Sequence, residues 1–220
     1  ENAGGLYKNL KLLRETKGTA ELNFFKTLGF EYLYVEEGNN VESLISAFSK
    51  IKDSTHPVVV HIHTEKGHGC DAALANKEGF HWIMPGTLDS VNETQAPQGE
   101  SYTSITTDYI LEKAKKDPKV FTITPATPGA YGYSEDFRNK LGKQYVDVGI
   151  AEEHAVAFAS AAASQGAKPI LQVLSSFIQR TYDQLSQDLC LNNSPATILI
   201  SWGAISGADA THLQVFDIPM

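Results

Sequence analysis

The chain has 220 residues, 42% of them hydrophobic, enough for one large domain or two modest ones, each with its own core. With 26 acidic against 18 basic residues its formal charge is −8, which argues against a nucleic-acid partner, since such a partner demands clustered Lys and Arg. Cys70 and Cys190 are the two cysteines, far apart and in no C-x-x-C pattern, so neither a disulfide framework nor a zinc site is expected and a reducing cytoplasm fits.

No apolar run approaches the roughly 20 residues that span a bilayer, so no membrane is expected. The amino end "ENAGGLYKNLKLLRE" lacks the basic and apolar regions of a signal peptide. A start at Glu1 and an end at "FDIPM" read as cut termini, as in part of a longer protein.

In chain order, the first β-rich run is "FEYLYVE". Asn39 and Glu42 then resemble a capping box opening the amphipathic helix "VESLISAFSKI". The second run, "HPVVVHIHT", is nearly continuous in Val, Ile and His, as in a strand covered on both faces. Strand, helix, strand implies a parallel crossover. From Met84 to Ser104 the hydrophobic period disappears among Pro, Gly, Ser, Thr and Asn, which marks a linker.

Beyond it helices and strands alternate: "ITTDYILEKAKK", "KVFTITPA", "SEDFRNKLG", "YVDVG", "AEEHAVAFASAAASQ", "KPILQVL", "SFIQRTYDQLSQDLCLN" and "ATILISW". That order predicts an α/β fold with a doubly wound parallel sheet. Ligands gather at the carboxyl ends of such strands, which directs attention to the loops 66–71, 125–133, 149–154 and 203–212.

Glu152 follows a strand directly and stands in the first turn of a helix. An acid there complements the macrodipole by about 0.3 to 1 kcal/mol, and position alone leaves that reading at even weight with a functional one. The run "AVAFASAAA" is apolar or tiny on every face, which predicts a helix buried all round and a carboxyl removed from water, able to share or donate a proton. His61, His63 and His68 suggest a metal cluster at first glance, but no carboxylate or thiolate has matching spacing, and no metal ligand is assigned.

The segments "YVDVGIAEEHAVAFASAAASQGAKPILQVLSSFIQRTYDQLSQDL" and "GADATHLQVFD" resemble the 1-deoxy-D-xylulose-5-phosphate synthase family, thiamine-diphosphate enzymes related to transketolase. "ENAGGLYKNLKLLRE", "VVVHIHTEKGHG" and "FHW" fit the same family in the same order, so the resemblance covers nearly the whole chain. It implies that residues 1–84 end a diphosphate-binding domain, that 85–104 are a linker, and that 105–220 form most of a pyrimidine-binding domain.

The resemblance implies thiamine diphosphate and Mg2+ as cofactors, pyruvate and an aldehyde (glyceraldehyde 3-phosphate in the family) as substrates, and a homodimer. Glu152 matches the glutamate that shares a proton with the aminopyrimidine, favouring the imino tautomer whose nitrogen removes the thiazolium C2 proton. Phe177 matches the aromatic that stacks on the pyrimidine, although by itself it reads as a core residue. Arg180 lines the same element on the substrate side, and a surface pairing with Asp183 or Asp188 is the competing account. His81 matches a histidine that handles protons on the bound intermediate, against the ordinary reading of a hydrogen-bonded structural histidine. Asp209 and His212 match a pair near the substrate hydroxyls, against an Asp-stabilised turn with an incidental His.

Three positions depart from the family pattern. Cys70 stands where a cofactor-contacting tyrosine is usual, Leu174 where a tyrosine helps hold the substrate phosphate, and Trp202 where an arginine meets that phosphate. An indole offers no charge-assisted hydrogen bond, so the acceptor aldehyde would be held differently. The family's "G-D-G" motif and downstream asparagine, which hold Mg2+, fall before Glu1. Other readings stay open: a non-catalytic α/β module, half of a split enzyme completed by a second chain, or another member of the transketolase superfamily such as a decarboxylating dehydrogenase β-like subunit.

Overall fold

The computed structural model of the chain describes residues 4–81, 83 and 100–203. The chain divides into two compact units, Glu1–Gln95 and Ala96–Met220.

The first unit contains helices α1 (Gly5–Glu15) and α2 (Phe24–Thr27), strand β1 (Glu31–Val35), helix α3 (Val41–Ile51), strand β2 (Val58–Ile62) and helix α4 (Asp71–Ala75). β1 and β2 pair in parallel, with Tyr32 opposite Val59 and Tyr34 opposite His61, as the strand–helix–strand order requires. The cap of α3 is one residue later than expected. Asn40 has the extended backbone of a cap and its side chain accepts from the Ser43 N–H at 2.8 Å. Asn39 instead accepts from the Glu65 N–H at 2.7 Å, which ties the start of α3 to the loop after β2. β2 is half-buried along its whole length rather than enclosed, because the described sheet has only two strands. The apolar face of α3 is likewise open at Val41, Ile45 and Phe48.

The second unit begins with α5 (Tyr102–Lys116), three residues before the expected start. Ser101 and Ser104 close a reciprocal cap there, each side chain accepting from the other's backbone N–H. Then follow β3 (Val120–Thr124), α6 (Glu135–Leu141), β4 (Tyr145–Asp147), α7 (Glu152–Ser164), β5 (Lys168–Leu174), α8 (Ser175–Ile178) and β6 (Thr197–Ser201). The sheet order is β4-β3-β5-β6 with every pairing parallel. Each face carries its own core. Ile110, Ala114, Val120, Tyr133, Phe137 and Leu141 pack under α5 and α6, whereas Ile123, Ala155, Val156, Ala159, Leu171 and Leu189 pack under α7. The expected doubly wound α/β architecture is therefore present.

Two expectations for helices need correction. α7 is not buried all round: Ala155, Val156, Ala159, Ser160 and Ala163 face the core, while Glu153, His154, Ala161 and Ser164 are exposed. A helix on a sheet meets it with one face, and alanines on the other leave little apolar surface in water. The segment after β5 is not one regular helix. α8 passes into a 3-10 turn at Gln179–Thr181 and then a π-helical stretch at Gln184–Cys190. There the Asp188 carbonyl accepts from the Ser160 hydroxyl at 2.6 Å and from Asn192 Nδ2 at 3.0 Å.

Candidate functional site

The chain leaves β3 toward α6 and β4 on one side, and leaves β5 toward β6 on the other. The β3/β5 pair is thus the topological switch point, where a crevice opens at the carboxyl ends of the strands. Polar groups concentrate there. Gln172 and Thr124 are both fully buried, and the Thr124 hydroxyl donates to Gln172 Oε1 while Gln172 Nε2 donates to Thr127 Oγ1 at 3.1 Å. On the other side, Asp147 Oδ1 accepts from the backbone N–H of Gly149 at 2.9 Å and of Ala126 at 3.1 Å. Both donors occupy left-handed backbone, Gly149 at φ +75° and Ala126 at φ +59°, so one carboxylate joins the kinked loops after β3 and β4. Trp202, just past β6, is a third residue of this kind at φ +60°.

The turn at Gly149 delivers the chain into α7 at Glu152, its first residue. Glu152 is only 2% exposed, whereas Glu153 and His154 point outward, because consecutive helical residues are rotated by about 100°. The His154 ring lies parallel to Phe158 with centroids 6.2 Å apart. Glu152 Oε2 accepts from Arg180 Nη1 at 3.0 Å, and Glu152 Oε1 is buried without a hydrogen-bond partner among the described residues. Arg180 therefore pairs with Glu152 rather than with Asp183 or Asp188. Its guanidinium also lies over the Phe177 ring, 5.0 Å from the centroid. Phe177 lies in α8 and Arg180 in the 3-10 turn that continues it, so the two stand three residues apart on one side of a continuous helical segment.

Three of the expected residues, Glu152, Phe177 and Arg180, thus come together in the second unit. His81 and Cys70 belong to the first. His81 is exposed, and its Nδ1 accepts from Lys66 Nζ at 3.0 Å, since an ammonium can only donate. Cys70 is half-buried at the N-cap of α4 without a side-chain capping bond. Asp209 and His212 lie outside the described residues. His61 is committed to packing: its Nδ1 is 2.6 Å from the Tyr32 hydroxyl and its ring meets Tyr34 edge-on, while His63 is exposed and His68 is 3.8 Å from Glu65. Burial, then the neighbouring His63 and Arg14, hold the His61 pKa below its usual value.

Sequence reasoning missed Asp147, Gln172 and Tyr131. A glutamine inside the apolar strand "KPILQVL" was the available signal, because a buried polar residue is more informative than a buried apolar one. The Tyr131 hydroxyl reaches the carbonyls of Val173, at 3.2 Å, and Leu199, and so ties the β3 loop over β5 and β6. Burial pushes its pKa up to about 12, and raises that of the fully buried Tyr133 as well. In the unfolded chain both phenols ionise near pH 10. Their neutral forms are thus fully compatible with folding below that value, and stability falls as pH rises from about 10 toward 12. Well below pH 12, tyrosinate absorbance from these two residues should appear only together with unfolding in an alkaline titration monitored by circular dichroism, and its appearance there in the folded protein would contradict the burial.

A family model described as the transketolase pyrimidine-binding domain matches residues 99–220, more than half of the chain. The chain belongs to the transketolase pyrimidine-binding-domain family. A second model, described as 1-deoxy-D-xylulose-5-phosphate synthase, matches residues 5–64. Among similar proteins, the 1-deoxy-D-xylulose-5-phosphate synthase of Glaesserella parasuis is 38% identical over 195 residues, covering 88% of this chain and 32% of the relative. The synthase 1 of Geobacter sulfurreducens is 37% identical over 196 residues, covering 88% and 31%. The synthase of Carboxydothermus hydrogenoformans is 37% identical over 195 residues, with the same coverage. The chain therefore spans about a third of the length of the curated relatives it matches. The match over 99–220 contains β3 to β6 and the whole Glu152–Phe177–Arg180 group, so the pyrimidine-binding-domain family and the switch-point crevice coincide. Among the described residues, no helix is long and apolar enough to cross a membrane.

Proposed function

We propose that this chain is part of a thiamine-diphosphate-dependent, transketolase-like synthase that decarboxylates pyruvate and joins the two-carbon unit to an aldehyde, as in 1-deoxy-D-xylulose-5-phosphate synthases. The observation that carries the reading is Glu152, enclosed at a helix start with one oxygen on Arg180, whose guanidinium covers the Phe177 ring, and the other without a partner among the described residues. A buried polar oxygen left open calls for a further partner. A flat aminopyrimidine meets that requirement, with a ring nitrogen for the carboxyl and a face for Phe177.

The residues present fit the pyrimidine end of the cofactor. When bound, thiamine diphosphate supplies the carbanion chemistry that the protein lacks. Glu152 would hold the proton shared with the ring nitrogen, Phe177 would orient the ring, and Arg180 would face the substrate side. His81, His212 and Asp209 would move protons or orient hydroxyls on substrate, and Cys70 would stand near the cofactor. Among the described residues no group of three or more His, Cys, Asp or Glu is placed to hold a metal ion. The metal and diphosphate would be held by a "G-D-G" segment outside this sequence, in the same protein or in a second chain, and the assembly would be a cytoplasmic homodimer. Leu174 is 3% exposed and apolar, which favours an acceptor held without a phosphate contact at that position.

Calorimetric titration of thiamine diphosphate and Mg2+ into the protein, alone and mixed with the "G-D-G"-bearing region of a relative, tests the reading. Binding that Phe177→Ala weakens by about tenfold is expected, the loss of one aromatic stack. Absence of binding under both conditions, or binding indifferent to Phe177, would refute it.

A further inference from the structure

The partners of Arg180 are the partners assigned to the ligand. Its guanidinium is planar, lies over the Phe177 ring 5.0 Å from the centroid, and donates to Glu152 Oε2 at 3.0 Å. A 4-aminopyrimidine is also planar, stacks on an aromatic face, and engages a carboxyl through nitrogen in its own plane. The two groups compete for the same ring face and the same carboxyl group. They differ in what happens to each when it leaves: the Arg180 side chain is 48% exposed, so a short swing returns its head to water, while Glu152 and its open Oε1 stay enclosed.

We propose that Arg180 is a place-holder in the cofactor slot: in the unliganded domain its guanidinium covers the Phe177 ring and Glu152 Oε2, and a planar aminopyrimidine binds by displacing it. Arg180 is then an affinity-determining residue that acts by competition. The passage of α8 into the 3-10 turn at Gln179–Thr181 sets this up by keeping residues 177 and 180 on one side of the segment. The displaced carboxylate does not remain alone, because it shares a proton with the incoming ring nitrogen, which by itself can only accept. The apparent affinity is lowered by the fraction of molecules in which the guanidinium is docked. This inference rests on the proposal that Glu152 and Phe177 bind an aminopyrimidine.

The test is an NMR titration of the whole chain with 4-amino-2-methylpyrimidine, the heterocycle without its diphosphate, in wild type, Arg180→Met, Arg180→Lys and Phe177→Ala. Arg180→Met keeps length and packing without donors or charge and is expected to bind the probe about tenfold more tightly, the docked guanidinium being the competitor removed. Arg180→Lys, charged but unable to stack as a plane, should fall between it and the wild type. In wild type the guanidinium N–H signals should shift from a restrained to a freely rotating state as the probe is added, a readout that does not depend on any variant folding. Equal or weaker binding by Arg180→Met, or guanidinium signals that stay restrained in the bound form, would overturn the place-holder while leaving the slot intact. If Phe177→Ala binds the probe as wild type does, or if no variant binds it, the slot itself is wrong and the place-holder falls with it.

Discussion

Glu152→Gln is expected to slow exchange of the cofactor C2 proton by about 10²- to 10⁴-fold, the usual span for losing a positioned acid–base group, while leaving cofactor binding within a few-fold of wild type. Glutamine fills the same volume and still offers a hydrogen bond to a ring nitrogen, but its amide does not exchange a proton with that nitrogen. Binding and activation therefore separate at this position. The change should also leave folding nearly intact. Breaking a buried ion pair costs about 3 to 5 kcal/mol when the surviving charge stays buried, yet the survivor here is Arg180, whose side chain is 48% exposed and hydrated. Deuterium exchange at C2, followed by NMR on the cofactor-loaded protein, reads the first effect, and a urea midpoint within experimental spread of wild type reads the second. Exchange that persists at the wild-type rate would remove Glu152 from its assigned role.

Leu171→Ala should be strongly damaging to the second unit, at about 2 to 5 kcal/mol. Leu171 is 1% exposed on the central strand β5 and packs with Ile123, Ala155, Val156 and Ala159. Two of the three α7 neighbours named there are alanines, which have no side-chain length with which to fill the space left behind, so a cavity persists. Set against a typical total of about 5 to 15 kcal/mol, that loss removes much of the domain's stability. The check is the shift of the urea midpoint at constant slope, with Ile200→Ala, a half-exposed residue of β6, as the comparison. If the two truncations cost the same, the core under α7 is not organised around β5 in the way described.

Most of the second unit was legible because its signals are local. Asn, Ser and Gly mark element ends, β-branched runs mark strands, and their alternation with helices leaves a right-handed parallel sheet as the simple solution. Errors arose where two neighbouring residues had equivalent chemistry, as with Asn39 and Asn40, where only the backbone angles at position 40 suit a cap. They arose again where composition was taken for burial: the alanines of α7 read as enclosed on every side, although only one side meets the sheet. The open face of α3 shows the same limit, since its period announces an apolar stripe but not what lies against it.

Glu152 was legible as a residue of interest from its place between a strand and an apolar helix. Its pairing was not. Arg180 lies 28 positions away, and Asp147, Gln172 and Tyr131 act through bonds to residues 21, 45 and 68 positions distant. The amino-acid sequence by itself determined the parallel α/β order, the loops at the carboxyl ends of the strands, and the acid placed at the head of α7. Only the tertiary structure decided that Arg180 and Phe177 meet that acid, that one of its oxygens stays open, and that Asp147 joins the two kinked loops. Periods and caps depend on the nearest few residues, whereas which buried polar atoms find partners depends on distances through space that no local pattern encodes.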